Sequence, residues 1–158
     1  MVILNFMRNL ALLIVLMCLF LASCDQEEVC TEGVNTMLVT NFYQIKNGSL
    51  EDTIVKGLTV FGLGIQDSLL YDSTDVSQIM IPLDPEQNTC SFILQTHNHT
   101  DTLTLEYTSE VIFVSYACGF APGYDITNIV STYQAYDSLH IVKSKLTPDN
   151  EENIEIYF

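Results

Sequence analysis

From Met37 onward the apolar side chains come in short runs divided by turn-forming residues, and in the clearest runs they occupy every second position. Leu103, Leu105 and Tyr107 alternate with Thr102, Thr104 and Glu106, and Ile154, Ile156 and Phe158 alternate with Glu155 and Tyr157. A period of two puts one face of a strand against a core and the other toward water. Runs of this kind predict strands at 37–45, 58–64, 78–83, 91–96, 101–108, 110–119, 127–136, 138–146 and 153–158. Their Val, Ile, Tyr, Phe and Thr content favours pleated packing over helix. "KNGS", "LDPEQN", "APGYD" and "TPDNEEN" supply turn residues between them. The segment "NIVSTYQAYDSLHIV" places Ile129, Tyr133 and Tyr136 where one helical face would hold them, but its β-branched and aromatic residues favour strand. The prediction is an all-β protein, an antiparallel two-sheet β-sandwich of immunoglobulin-like or related Greek-key type.

The first residues follow a different pattern. A single charged side chain, Arg8, precedes an apolar run from Leu10 to Leu21. Such a run is too short for a bilayer core of about 30 Å and fits the apolar region of a signal peptide, here residues 1–23. "LASC" at 21–24 looks like a lipobox, the signal after which a bacterial lipoprotein is cut before a cysteine that then receives lipid. Cys24 is therefore the expected lipidation site and the bilayer the first expected partner; the alternative is an ordinary secretory signal. Acyl chains contribute roughly 0.8 kcal/mol per buried CH₂, so several on one residue anchor a protein without a spanning helix. Residues 24–34 are polar and acidic and read as a tether, leaving 35–158 as one domain.

Charge narrows the partners. The chain carries a formal net charge of −15, and loss of Arg8 with the signal would take it to −16. Nucleic acid is excluded as an expected partner, since phosphate binding depends on clustered Lys and Arg. Electrostatic adhesion to an anionic membrane is excluded for the same reason.

Three cysteines would remain once Cys18 leaves with the signal and Cys24 is acylated: Cys30, Cys90 and Cys118. An extracytoplasmic compartment permits a disulfide, and three cysteines allow three single pairs with one thiol over. Cys30 stands where a bridge would pin the start of the domain, Cys118 lies in the most apolar late segment, and Cys90 suits a small buried hydrophobe. Cys30 with Cys118 is the expected pair.

Chemistry is sparse. His97, His99 and Asp101 in "THNHTD" share two-residue spacing and on one strand face would approach a single ion, with imidazole suiting zinc or copper. The competing and expected reading is a polar hairpin turn between "SFILQ" and "TLTLEY". Abundant carboxylates do not by themselves mark acid/base catalysis, which needs neighbours with separated pKa values. No nucleotide, calcium-loop, zincin or nucleophile-elbow motif is present. Neither catalysis nor a cofactor is expected. Eight Tyr and eight Phe, with no Trp, complete a β core and its rim, and "GFAPGYD" is the expected site of any exposed aromatic loop.

Taken together, the lipobox, "CDQEEVC", "SEVIFVSYACGF" and "NIEIYF" resemble a family of small uncharacterised lipoproteins from Bacteroidota. The resemblance rests on an acidic cysteine-containing start and a late "F-x-S-x-x-C-G" stretch, here Phe113, Ser115, Cys118 and Gly119, with a final strand at Asn153–Phe158. It implies an anchored β domain of the cell envelope at the outer membrane, adds weight to the pairing of Cys30 with Cys118, and supplies no catalytic residue. Asp25, Glu27 and Glu28 behind the lipidated cysteine resemble the surface-export signal of such lipoproteins, or form a hydrated tether in the periplasm. Thr53, Ser68, Ser73, Thr102 and Ser138 follow aspartates in tripeptides that resemble the O-glycosylation motif of these bacteria. The "NGS" and "NHT" sequons are expected to be idle. The functional expectation is a non-catalytic envelope lipoprotein that binds or spaces an envelope protein or glycan. A carbohydrate-binding accessory lipoprotein is the first alternative and a metal-dependent enzyme the second.

Overall fold

The computed structural model describes residues 7–8, 29–31, 33–64 and 68–158. The predicted signal-peptide boundary, Cys24 and the acidic residues Asp25, Glu27 and Glu28 lie outside the described residues. The chain divides into two units, Met1–Cys30 and Thr31–Phe158, and the strands belong to the second. They are β1 (Met37–Lys46), β2 (Ser49–Asp52), β3 (Val55–Gly62), β4 (Leu69–Val76), β5 (Gln78–Pro82), β6 (Thr89–Gln95), β7 (Thr100–Ser115), β8 (Gly119–Ser131), β9 (Ser138–Ile141), β10 (Lys145–Leu146) and β11 (Glu152–Tyr157). Two sheets form a β-sandwich. One runs β2-β1-β11-β9 with β5 also paired to β1, and the other runs β10-β8-β7-β6-β3-β4.

The second sheet is antiparallel throughout. The first corrects the expectation of a wholly antiparallel sandwich, because β1 and β11 pair in parallel. Parallel neighbours need a long connection, and the first and last strands of a domain have the whole domain between them. The register skips Asn153 between Val39 and Thr40. That residue is buried, its side-chain oxygen accepts from the Val39 amide at 3.1 Å, and its amide nitrogen donates to the Lys143 and Lys145 carbonyls at 3.2 and 3.3 Å. The side chain thus supplies bonds that the bulged ladder leaves open.

The core lies between the sheets and draws Leu38 and Phe42 from β1, Leu58 and Val60 from β3, Leu103, Leu105 and Tyr107 from β7, and Ile154 and Ile156 from β11. The alternation predicted for the last two groups therefore holds, with Glu106 exposed and Glu155 and Tyr157 half-buried. Tyr107 and Tyr124 meet edge to face at 5.5 Å, and their hydroxyls donate to the carbonyls of Asp84 at 2.9 Å and Leu83 at 2.8 Å. Two large rings are thereby buried without orphaned hydroxyls.

"KNGS" turns as expected, with Asn47 and Gly48 both at positive φ (54° and 78°) joining β1 to β2. A two-residue hairpin of this hand suits an Asn-Gly pair. "LDPEQN" is also a connection, as is "TPDNEEN" up to Glu151, where β11 begins with the next residue. The predicted strand at 101–108 and the first part of that at 110–119, to Ser115, are a single strand, β7, and "APGYD" is not a turn but the interior of β8, where Ala121, Gly123 and Tyr124 are buried. The reversal instead falls at Tyr116–Cys118, where Gly119 takes a φ of 75°. Two strands, β2 and β4, lie where none was predicted, and most of their residues are exposed, so that no apolar run marks them. The possible helix around Ile129–Tyr136 is the end of β8 and a connecting segment.

Candidate functional site

The histidine motif separates. Thr96–His99 is a hairpin turn, closed by the Thr96 amide donating to the His99 carbonyl at 2.9 Å, with His97 and His99 exposed. Asp101 lies on β7 beyond it, fully buried, and its carboxylate faces another segment. One oxygen accepts from the Thr132 hydroxyl and the Gln134 amide, both at 2.6 Å, and the other from the Ala135 amide at 2.7 Å. The Thr132 oxygen accepts in turn from the Thr102 amide at 3.1 Å. Among the described residues no group of three or more His, Cys, Asp or Glu side chains is placed to hold a metal ion. The carboxylate counted as a third ligand is instead the fastening of the β8–β9 connection, and sequence spacing could not show it because its donors lie more than 30 residues away.

Beside the histidine turn is an open cleft of about 310 Å³ whose lining includes Lys56, His97, His99 and Phe158. A second, of about 380 Å³, is bounded by Leu63, Leu70, Leu83, Cys90 and Phe92. Both are near the lower end of small-ligand sites, roughly 300–1,000 Å³.

Cys90 is a thiol, whereas Cys30 and Cys118 are each disulfide-bonded. Burial pushes the Cys90 thiol up to about 11, which is the environment of an inert cysteine rather than a nucleophile. Burial likewise pushes Tyr107 and Tyr136 up to about 12. Raised values favour the protonated forms in the fold, so this stabilisation is complete below the unfolded-state pKa values and is lost as pH rises through the folded ones. The urea midpoint should hold between about pH 7 and 8 and fall from roughly pH 9 upward, with Cys90→Ala delaying the onset toward roughly pH 10. Iodoacetamide at pH 8 should label Cys90 slowly in the native protein and quickly in urea; equal rates would mean an accessible thiolate.

The outer face of the first sheet carries an aromatic and acidic group. Tyr43 and Tyr157 stand 5.9 Å apart between ring centres, and His140 meets Tyr157 edge-on at 5.5 Å. The Tyr43 hydroxyl donates to Glu152 at 3.0 Å and that of Tyr157 to Glu155 at 2.5 Å. The bond to Glu155, followed by burial, pushes Tyr157 up to about 12.

Among the described residues, a cluster of exposed aromatic side chains lies at the far end of the β7–β8 hairpin. Pairing with β6 stops at Glu106, and β10 meets β8 only at Tyr124 and Asp125, so the pair continues beyond its neighbours as a two-stranded ribbon. On the face that continues the one bearing Tyr107 and Tyr124, Val111 is 77% exposed, Phe113 51% and Phe120 68%, and Tyr116 at the turn is 96% exposed. Phe113 contacts Tyr116 at 5.4 Å and Phe120 at 5.5 Å, ring centre to ring centre. Ile112 and Val114 lie on the opposite face, where they line a cleft with Gly33 and Pro148, and the Thr36 hydroxyl donates to the Pro122 carbonyl. Of the expected loop "GFAPGYD", only Phe120 contributes to this display. The legible signal was the loss of alternation after Glu110, where "VIFVSYACGF" runs without a charge.

The suggested glycan acceptors are dispersed. Ser73 is exposed on β4, and Thr53, Ser68, Thr102 and Ser138 are half-buried. Ser68 accepts from the Gly62 amide at 2.9 Å. Among the described residues no helix is long and apolar enough to cross a membrane.

Residues 57–158 match the Family of unknown function (DUF6452), a stretch that runs from within β3 to the last residue and includes Cys90 and Cys118. No curated protein and no solved structure matches the chain.

Proposed function

The chain belongs to that family, whose description assigns no activity, and we propose from its own residues that it is a lipid-anchored cell-envelope protein with an interaction or structural role and no catalytic one. The single observation that carries this reading is the exposed, uncharged aromatic end of the β7–β8 ribbon on an otherwise acidic β-sandwich. Such a surface suits contact with another body better than turnover of a small substrate. The polar groups that offered chemistry have structural work: Asp101 fastens a connection and Cys90 is a protonated, half-buried thiol. In this reading Cys24 carries the lipid, the acidic residues from Asp25 form the tether, and Cys30 pairs with Cys118. The pairing is supported by the oxidised state of both residues and the free thiol of Cys90. The outer membrane of a Bacteroidota cell is the proposed location, with Ser73 as the O-glycan acceptor best placed by exposure. The repeated crossing of the chain between sheets supports an immunoglobulin-like or related Greek-key origin.

The test is proteinase treatment of intact cells carrying the epitope-tagged protein, with a periplasmic control that stays protected. Degradation is the outcome expected of an exported domain with a host-, nutrient- or glycan-facing partner. Protection on intact cells, with cutting after lysis, would assign a periplasmic partner and remove the export role of Asp25, Glu27 and Glu28. Loss of membrane association is expected for Cys24→Ser, and its retention would sink the anchor.

A carbohydrate-binding accessory role has one observation in its favour, the Tyr43–Tyr157 pair flanked by Glu152 and Glu155. Rings beside carboxylates offer stacking and hydrogen-bond acceptance to a sugar. Saturable binding on a glycan panel, lost in Tyr157→Ala, would favour it over the leading reading.

A further inference from the structure

We infer that the end of the β7–β8 ribbon seats in the interfacial layer of the same bilayer that holds Cys24, with Phe113, Tyr116 and Phe120 as its contact residues; this rests on the lipid-anchored reading. The ribbon end is exposed and apolar, and no charged residue occurs from Val111 to Tyr124 in a chain of net charge −15. Entering a lipid interface therefore strips no ionised side chain of its water, and aromatic rings are favoured at the level of the headgroups.

Position selects lipid over a protein groove as the occupant. Cys118 lies two residues from Tyr116 and is disulfide-bonded, as is Cys30. Cys30 follows Cys24 by six residues, a link that reaches at most roughly 20 Å when extended. With Cys30 joined to Cys118, the added span of the disulfide and of the two residues to Tyr116 keeps the ribbon end within roughly 30 Å of the acylated residue. The remaining acidic surface is repelled by anionic headgroups and has no basic cluster to draw it down, so the apolar end is presented first. The ribbon thus acts beside the acyl chains as a second membrane signal.

The chain has no tryptophan, so Tyr116→Trp installs a single fluorescent reporter at the turn. Tyr133→Trp serves as the comparison, because Tyr133 is exposed beyond the opposite end of β8. The 13-residue β8 puts the two reporters roughly 40 Å apart along the strand. The full mature protein, purified with its acyl chains, is reconstituted into phosphatidylcholine vesicles with or without brominated acyl chains and floated on a density gradient. The expected result is at least a twofold bromolipid quench and a blue-shifted emission for Tyr116→Trp, with little quenching of Tyr133→Trp. Adding Phe113→Ser and Phe120→Ser should return the Tyr116→Trp emission toward that of exposed indole. Protein that floats while Tyr116→Trp stays unquenched, or quenches no more than Tyr133→Trp, overturns the inference and leaves the anchor standing. Protein that fails to float overturns the anchor and the inference with it.

Discussion

Asp101→Ala is expected to lower the unfolding free energy by about 3–5 kcal/mol, since it leaves several donors without an acceptor at about 1–3 kcal/mol for each that is buried. The carboxylate is fully buried and takes three donors, two of them the backbone amides of Gln134 and Ala135. Alanine leaves these without acceptors at a site that closes over them. The cost extends beyond three bonds, since the same connection leads Tyr136 into the core, where it packs 6.0 Å from Phe158 and hydrogen-bonds with Ser131. Against a typical domain stability of about 5–15 kcal/mol, the variant would be marginal. Asp101→Asn keeps one oxygen and turns an amide group toward remaining donors, so it should cost less, about 1–3 kcal/mol. Thr132→Val removes only the hydroxyl and should cost about 1 kcal/mol. Urea denaturation of the three proteins checks the order. An Asp101→Ala cost below that of Thr132→Val would show that the connection is held by packing rather than by the carboxylate.

Asp101 also marks the boundary of what sequence could reveal. Its place after Thr100 in a polar segment made it look like part of a turn, yet it is the first inward position of β7, in phase with Leu103, Leu105 and Tyr107. Period two alone would have placed it inside, but a charged residue there is interpretable only when its partners are known. Alternation was readable wherever a strand had one wet face, as in β7 up to Tyr107 and in β11. It misled at the ribbon, where Val111 and Phe113 keep the phase of Tyr107 but the hairpin runs beyond its neighbouring strands, so that they and Phe120 are exposed although apolar. It also failed in β8, where Pro122 and Gly123 read as a turn but occupy a strand that is paired to β7 on one edge and open on the other at that end. Proline is tolerated on such an edge. The parallel β1–β11 pair follows from tertiary closure and has no local signal.

Cys30→Ser, Cys118→Ser and the double substitution are all expected to lose the same stability, roughly 2–5 kcal/mol, if the two sulfurs form one bridge. A bridge between these positions closes a loop of about 90 residues, and in the chain-entropy account its effect comes from restricting the unfolded state. Once either cysteine is gone the second substitution removes nothing further, so the two effects are fully non-additive. Denaturant titrations of the three variants and the parent test this directly. Losses that add in the double variant would mean separate bridges and would sink the proposed pairing. Thiol counting gives an independent reading: the denatured mature protein, its Cys24 blocked by lipid, should show one reactive thiol, Cys90, and three after reduction. The bridge also has a consequence that stability cannot report. Without it the domain pivots on the tether alone, and the ribbon end is free to turn from the bilayer. Bromolipid quenching of the Tyr116→Trp reporter should therefore fall on reduction under conditions where the sandwich remains folded. A quench that survives reduction would mean that Phe113, Tyr116 and Phe120 hold the ribbon at the interface without help from the disulfide.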